Sequence, residues 1–373
     1  MITRIALCLF VILAACQMKP KNSTREQPTN TFYVGTYTEG ESEGIYKYEL
    51  LPDGTMRAVG LVAKSENPSF LAKSSDGRYL VAVNEIQNEQ HVGSVESWKI
   101  TEDSLTFISR SSSGGAHPCH VSLNTSGYIL TANYTGGNVG LLKIDKSDGR
   151  LSDLLDLQQH SGQGSTDRQQ GPHAHSAWFV PESDDVMAID LGTNELWFSE
   201  LDQKQGVLTP RDPQKLAMTK GAGPRHLTFH PNNNWVYVIN ELDCTVSLVK
   251  KDDAGTCYLQ TSVSTLPKGY DQPNYCADIH VTQDGQFLYA SNRGHNSIAI
   301  FSINKENGAL ASVGHPSTRG DFPRNFALSP DGDYLLVANQ KSNNIVSFHR
   351  NKETGSLTFV DECEAPTPVC ILF

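Results

Sequence analysis

A short run in which apolar and polar residues alternate, a turn of the S-x-D-G kind, a second apolar run and then an asparagine form a phrase, opened in most copies by a proline, that recurs along this chain. It reads NPSFLAKSSDGRYLVAVNE from Asn67, HPCHVSLNTSGYILTANY from His117, GPRHLTFHPNNNWVYVINE from Gly223, YCADIHVTQDGQFLYASNR from Tyr275 and FPRNFALSPDGDYLLVANQ from Phe322. GPHAHSAWFVPESDDVMAIDL, from Gly171, is the same phrase with two extra residues and with Asp190 in place of the asparagine. Each copy continues alike, as in NSIAIFSINKENGALASV or NNIVSFHRNKETGSLTFV, which predicts two more strands around a glycine-bearing turn. Four short antiparallel strands in a unit of roughly 40 to 50 residues are the pattern of propeller blades.

Six complete copies leave two incomplete ones at the ends. TFYVGTYTEGESEGIYKYELLPDGTMRAVG supplies three strands without the proline-led first one, and APTPVCILF supplies that first strand alone. Joined, they predict a seventh blade whose innermost strand is the C-terminus, closing the ring and removing the open edges on which sheets aggregate. The chain is therefore expected to be all-β: one seven-bladed β-propeller of four-stranded blades over residues 31–373. Its 373 residues would otherwise suggest two or three domains.

In each blade the first strand runs along the central channel and the second returns beside it, so the residue after the proline and the residue after the asparagine end near one rim. The first ring reads Ser69, Cys119, His173, Arg225, Ala277, Arg324 and Val369; the second reads Glu85, Tyr134, Leu191, Glu241, Arg293, Gln340 and Thr36. His173, Arg225, Glu241, Arg293 and Arg324 thus fall in four successive units. The whole chain carries a net charge of −11, which disfavours nucleic acid as a partner, so an arginine cluster at one mouth stands out as a local anion site. Arginine offers a planar donor fork for carboxylate or phosphate, and Glu241 among such cations would be an ionised carboxylate available as a base.

The N-terminus changes the address. Arg4, the apolar run Ile5 to Leu13 and then Leu13-Ala14-Ala15-Cys16 resemble a lipoprotein signal with its lipobox, so residues 1–15 are expected to be a signal peptide and residues 16–30 a lipidated Cys16 followed by a flexible tether. Gln17 in place of an aspartate points to the outer membrane, with the protein facing the periplasm and touching the membrane through that anchor alone. Of the eight cysteines, the six beyond Cys16 show no CxxC spacing and no framework density. There is no GxGxxG after a strand, no P-loop, no G-x-S-x-G elbow and no basic run interleaved with aromatics.

The phrases HPCH, GPHAHS, GPRHLTFHP, NEL, SNRGHNSI and FPRNFALSPDG resemble those of the bacterial 6-phosphogluconolactonase family of seven-bladed propeller lactonases, related to the fungal carboxymuconate-lactonising enzyme. The resemblance implies a metal-free, cofactor-free site made of a histidine, an arginine, a glutamate 16 residues later and a second arginine, which here are His173, Arg225, Glu241 and Arg293. It implies hydrolysis of a small anionic sugar lactone. Water is then expected to attack the carbonyl, with Glu241 or His173 taking its proton and Arg293 with Arg225 stabilising the oxyanion. Arg324 is expected to hold a remote phosphate or carboxylate, with His175, Gln340 and Glu85 as further substrate contacts. His175 shares a strand face with His173 and sits deeper, where a hydrogen-bonded supporting role is expected first. Neither H-x-H nor HPCH has zinc-motif spacing. Two other readings use the same residues: a lactonising isomerase of the muconate type, and a non-catalytic periplasmic propeller that binds an anion.

Overall fold

The computed structural model describes residues 30–252 and 254–373. The proposed signal peptide, Cys16 and the tether up to residue 29 lie outside the described residues. Seven four-stranded antiparallel sheets form the propeller. Blade 1 pairs Pro368–Leu372 with Asn30–Thr36, Gly44–Leu50 and Met56–Lys64. Blades 2 to 7 follow in chain order, with innermost strands Leu71–Lys73, Pro118–Leu123, Ala174–Phe179, Pro224–Phe229, Tyr275–Val281 and Pro323–Leu328. Ring closure is the expected one: Tyr33 pairs with Leu372, Val34 with Ile371 and Gly35 with Cys370. Among the described residues no helix is long and apolar enough to cross a membrane.

The second strand of each blade is covered on both faces by its neighbours, so Tyr79–Asn84, Tyr128–Asn133 and Trp235–Asn240 are buried at every position. Such strands read as continuous apolar runs for the same reason that doubly covered parallel strands do. The core is accordingly a set of wedges between blades. One joins Phe32 and Tyr48 of blade 1 to Leu336 and Ile345 of blade 7, across the closure. Crowding near the axis dictates Gly35: a Cβ there would lie 2.4 Å from the Pro68 carbonyl oxygen of blade 2.

The innermost strands carry the feature that makes the site. In blades 3, 5 and 7 the pairing register breaks between Pro118 and His120, Pro224 and His226, and Pro323 and Asn325. The skipped residue, Cys119, Arg225 or Arg324, is a bulge, and a bulge re-aims its side chain. This is why the residue after the proline leaves the regular in-and-out alternation.

Two ring positions differ from the sequence-derived rings. In blade 4 the partner of Asp190 is Ala174, and the skipped residue is His175; the two extra residues of GPHAHS displace the equivalence from His173 to His175. In blade 1 Thr36 pairs with Pro368 and so stands in the asparagine's own place, buried and hydrogen-bonded to Ser42 and the Gly44 carbonyl. The ring position there belongs to Tyr37.

Asp190 replaces the asparagine because its site supplies only donors. Its Oδ2 accepts from the His160 ring Nδ1 at 2.7 Å, and Oδ1 accepts from the backbone N–H groups of His173 and Thr193, both at 2.8 Å. An asparagine would bring one acceptor oxygen and no charge to these three donors, and so would either turn an N–H toward the backbone donors or force His160 into its other tautomer, in a fully buried place. Asp190→Asn is expected to lower stability by about 1–3 kcal/mol. Thermal or urea unfolding of the variant beside wild type measures it, and an unchanged midpoint would refute the assignment.

Candidate active site

One mouth of the channel opens into a cavity of about 420 Å³ whose lining includes Tyr37, Glu85, Tyr134, Arg168, His175, Glu241, Arg293, Arg324 and Gln340. At its centre Glu241 is a buried carboxylate with both oxygens engaged. Oε2 lies 2.8 Å from Arg293 Nη2 and 3.2 Å from Arg225 Nε, and Oε1 accepts from Arg168 Nη2 at 3.1 Å. Burial alone would raise its pKa, but Arg293, Arg225 and Arg168 together outweigh burial and hold it down at about 2. It is therefore ionised at any ordinary pH.

The two buried arginines are fixed by backbone carbonyls at positions set by the blades. Arg293 donates to the Cys276 and Tyr275 carbonyls at 2.8 and 3.3 Å and lies 5.1 Å from the Phe322 ring centre. Arg225, behind Glu241 and outside the lining, donates to the Ala277 carbonyl at 2.8 Å. Burial, and then repulsion from Arg293 and Arg324, lowers its pKa to about 10, which still leaves it charged at neutral pH.

Across the cavity, Arg324 Nη2 donates to the Tyr37 hydroxyl at 2.7 Å, and that hydroxyl donates to Glu85 Oε2 at 2.9 Å. Arg324 thus reaches a carboxylate only through Tyr37. Gln340 Oε1 has no partner although it is buried at the cavity wall, an acceptor waiting for a donor. His175 is buried, held neutral first by burial and then by the Arg225 charge, and its carbonyl accepts from the Cys119 thiol at 3.3 Å.

His173 is not part of the cavity lining. It stands behind Tyr134, rings stacked at 4.5 Å, with Nδ1 donating to the Tyr134 carbonyl at 3.0 Å. Since a carbonyl can only accept, Nδ1 carries a proton.

Arg168 is the residue that sequence reading missed. Blade 4 puts the buried, apolar Leu191 in the second ring, leaving a gap in the polar rim. The irregular segment between Gln159 and Ala174 reaches over that gap. Its Gln169 is fully buried and tied to the Leu191 carbonyl and to Asn194, and the adjacent Arg168 spans to Tyr134 and Glu241. No repeat equivalent exists for it, so periodicity gives no signal; a lone arginine in a Ser-, Gly- and Gln-rich insertion was the only trace. Tyr37, Tyr275 and Phe322 also line the cavity without having been singled out. Four guanidiniums thus face two carboxylates at this mouth, an excess of positive charge in an acidic protein.

The fold and this mouth define a propeller enzyme with an arginine-bound carboxylate at one end of its channel. The chain belongs to the lactonase family of seven-bladed β-propellers, whose pattern matches residues 31–373. It is 39% identical over 305 residues to a 6-phosphogluconolactonase of Bacillus subtilis, covering 80% of this chain and 84% of that protein. It is 37% identical over 309 residues to a 6-phosphogluconolactonase of Formosa agariphila, covering 80% and 86%. Among solved structures it is similar to a periplasmic gluconolactonase of Pseudomonas aeruginosa, with a TM-score of 0.87 and 30% identity over 92% of this chain and 98% of that one.

Proposed function

We propose that this protein hydrolyses a sugar lactone at the arginine-lined mouth, with 6-phospho-D-glucono-1,5-lactone opening to 6-phosphogluconate as the phosphorylated case. The observation that carries this reading is Glu241, a buried carboxylate kept ionised by Arg293, Arg225 and Arg168 on the wall of a cavity large enough for a sugar. A water oxygen bonds to the lactone carbonyl carbon, the ring C–O bond breaks, and the proton taken from water is returned to the leaving ring oxygen. Arg293, whose guanidinium meets the cavity, is placed to meet the developing oxyanion, with Arg225 fixing the far side of Glu241. Gln340, Glu85 and Tyr37 supply acceptors and a donor for sugar hydroxyls, His175 floors the cavity, and Arg324 holds a remote phosphate or carboxylate.

Two groups qualify as the proton acceptor, on different observations. Glu241 lines the cavity, but a carboxylate with a pKa of about 2 is a weak base while all three guanidiniums stay in place. Arg168, half exposed on an irregular segment, is the cation whose departure toward an entering anion would raise that basicity. His173, one layer behind Tyr134, has its Nδ1 proton engaged by the Tyr134 carbonyl, so Nε2 is the nitrogen on which it would accept another.

We also read the chain as an exported lipoprotein anchored through Cys16, which brings unphosphorylated lactones into consideration beside the phosphorylated one. The test is acid release from 6-phosphogluconolactone and from gluconolactone, above the spontaneous rate, by wild type and by Arg324→Ala. Wild type should open at least one of them. Arg324→Ala should raise KM for the phosphorylated lactone by roughly tenfold or more, the worth of one charge-assisted contact, with little change for the other. Failure of the folded wild type on both lactones would refute hydrolysis of this substrate class.

A further inference from the structure

Beneath the cavity the channel holds a buried chain of polar groups that substrate cannot touch. Asp278, on the innermost strand of blade 6, is a buried carboxylate with every acceptor position used. Oδ1 accepts from His226 Nδ1 at 2.9 Å and from the Ile279 backbone at 3.0 Å; Oδ2 accepts from Asn325 at 2.6 Å, His280 Nε2 at 3.0 Å and the Phe326 backbone at 3.3 Å. His226 in turn has its Nε2 3.2 Å from Arg225 Nη1. Donor and acceptor accounting leaves one arrangement. Arg225 has only N–H donors, so His226 Nε2 must be the acceptor, and its proton must sit on Nδ1, facing Asp278.

We propose that His226 and Asp278 are positioning residues for the reaction: Asp278 fixes the tautomer of His226, His226 Nε2 fixes one blade of the Arg225 guanidinium, and the Arg225 charge is thereby kept beside Glu241, with Nε 3.2 Å from Oε2 and making no hydrogen bond of its own. The logic is that of a carboxylate holding an imidazole in one tautomer so that its far nitrogen serves the working group. The strand geometry makes the chain possible. Arg225 is a bulge residue turned toward Glu241, whereas the next residue, His226, resumes the ladder opposite Ile239 and meets blade 6. Burial, and then the Arg225 charge, holds the His226 pKa down at about 4, so the imidazole keeps its acceptor lone pair at neutral pH. The nearby rings of Phe70, His120, His175 and Trp178 offer it no competing donor at hydrogen-bond distance; they pack at 5.7, 5.6, 5.4 and 6.3 Å between centres.

This inference rests on the reading of Arg225 and Glu241 as working groups, and the experiment separates the two. Asparagine places its amide where Nδ1 stands and lacks an acceptor at Nε2, whereas glutamine places one at Nε2. His226→Asn is expected to lose on the order of 10- to 100-fold in kcat with KM within about threefold, and His226→Gln to recover most of that loss. A structural role would predict the reverse order, because His226→Asn keeps the Asp278 hydrogen bond; that order, or equal losses, would overturn the proposal. Independently of folding in the variants and of any lactone, the 15N shifts of His226 in the substrate-free wild type should show Nδ1 protonated and Nε2 bare. The opposite tautomer or an imidazolium would overturn the proposal. Absence of lactone hydrolysis by wild type, with the expected tautomer present, would instead count against the functional reading alone.

Discussion

Glu241→Gln is expected to lower kcat for lactone opening by roughly 10²–10⁴, the range that a positioned general base contributes. Glutamine keeps the shape and one acceptor oxygen, which serves Arg293 and Arg225 when it takes the place of Oε2, but the charge that compensates them is gone. Removing one member of a buried ion pair typically costs about 3–5 kcal/mol, because the remaining charge stays desolvated. The variant should therefore also unfold at a lower temperature, and activity must be compared at a temperature where circular dichroism shows it folded. If its turnover is unchanged there, Glu241 is an organiser of arginines and not the proton acceptor. His173→Ala then becomes the decisive variant, since His173 is the other group proposed as the proton acceptor.

Arg293→Ala should reduce kcat by about 10²–10³, the usual loss when one pre-placed donor to an oxyanion is removed. It should do so with less damage to the fold than the Glu241 change, because Arg225 and Arg168 remain to compensate Glu241. A second readout distinguishes it from a general disturbance. Arg293 is the strongest of the cations that hold Glu241 down to about 2 from 4.5. Without it the Glu241 carboxyl titrates at a higher pH, and the acid limb of the kcat/KM profile should move up with it. The sign for stability follows from the same shift. A carboxyl depressed in the folded state contributes stability that is fully present above about 4.5 and lost as the pH falls toward 2. The variant has less of this contribution to lose, so wild type and Arg293→Ala should differ most above pH 4.5 and converge in acid. Turnover equal to wild type, with an unmoved acid limb, would sink the assignment of Arg293.

The propeller was legible in the sequence because a blade is a local object. Its four strands follow one another, each turn is written in Gly, Asn and Asp, and the doubly covered second strand must be largely apolar up to its closing asparagine, so the phrase repeats whatever else varies. Ring closure was legible for a related reason: a first strand without successors at one end and three strands without a first at the other have one consistent pairing. Glu241, Arg293 and Arg324 were legible as cavity residues because their place in the repeat fixes their place at the mouth. What the repeat could not place is what departs from it. His173 and His175 exchange ring positions through a two-residue insertion, since only the observed pairing of Ala174 with Asp190 sets where the bulge falls. Thr36 yields to Tyr37 for the same reason. Arg168 comes from a segment with no period, and Asp278 works through His226 and Arg225 across two blades. Sequence order alone determined which residues recur at equivalent places; which of them touch was decided by register, bulges and the closing of seven wedges around one axis, because contacts across the channel join residues that no local rule relates.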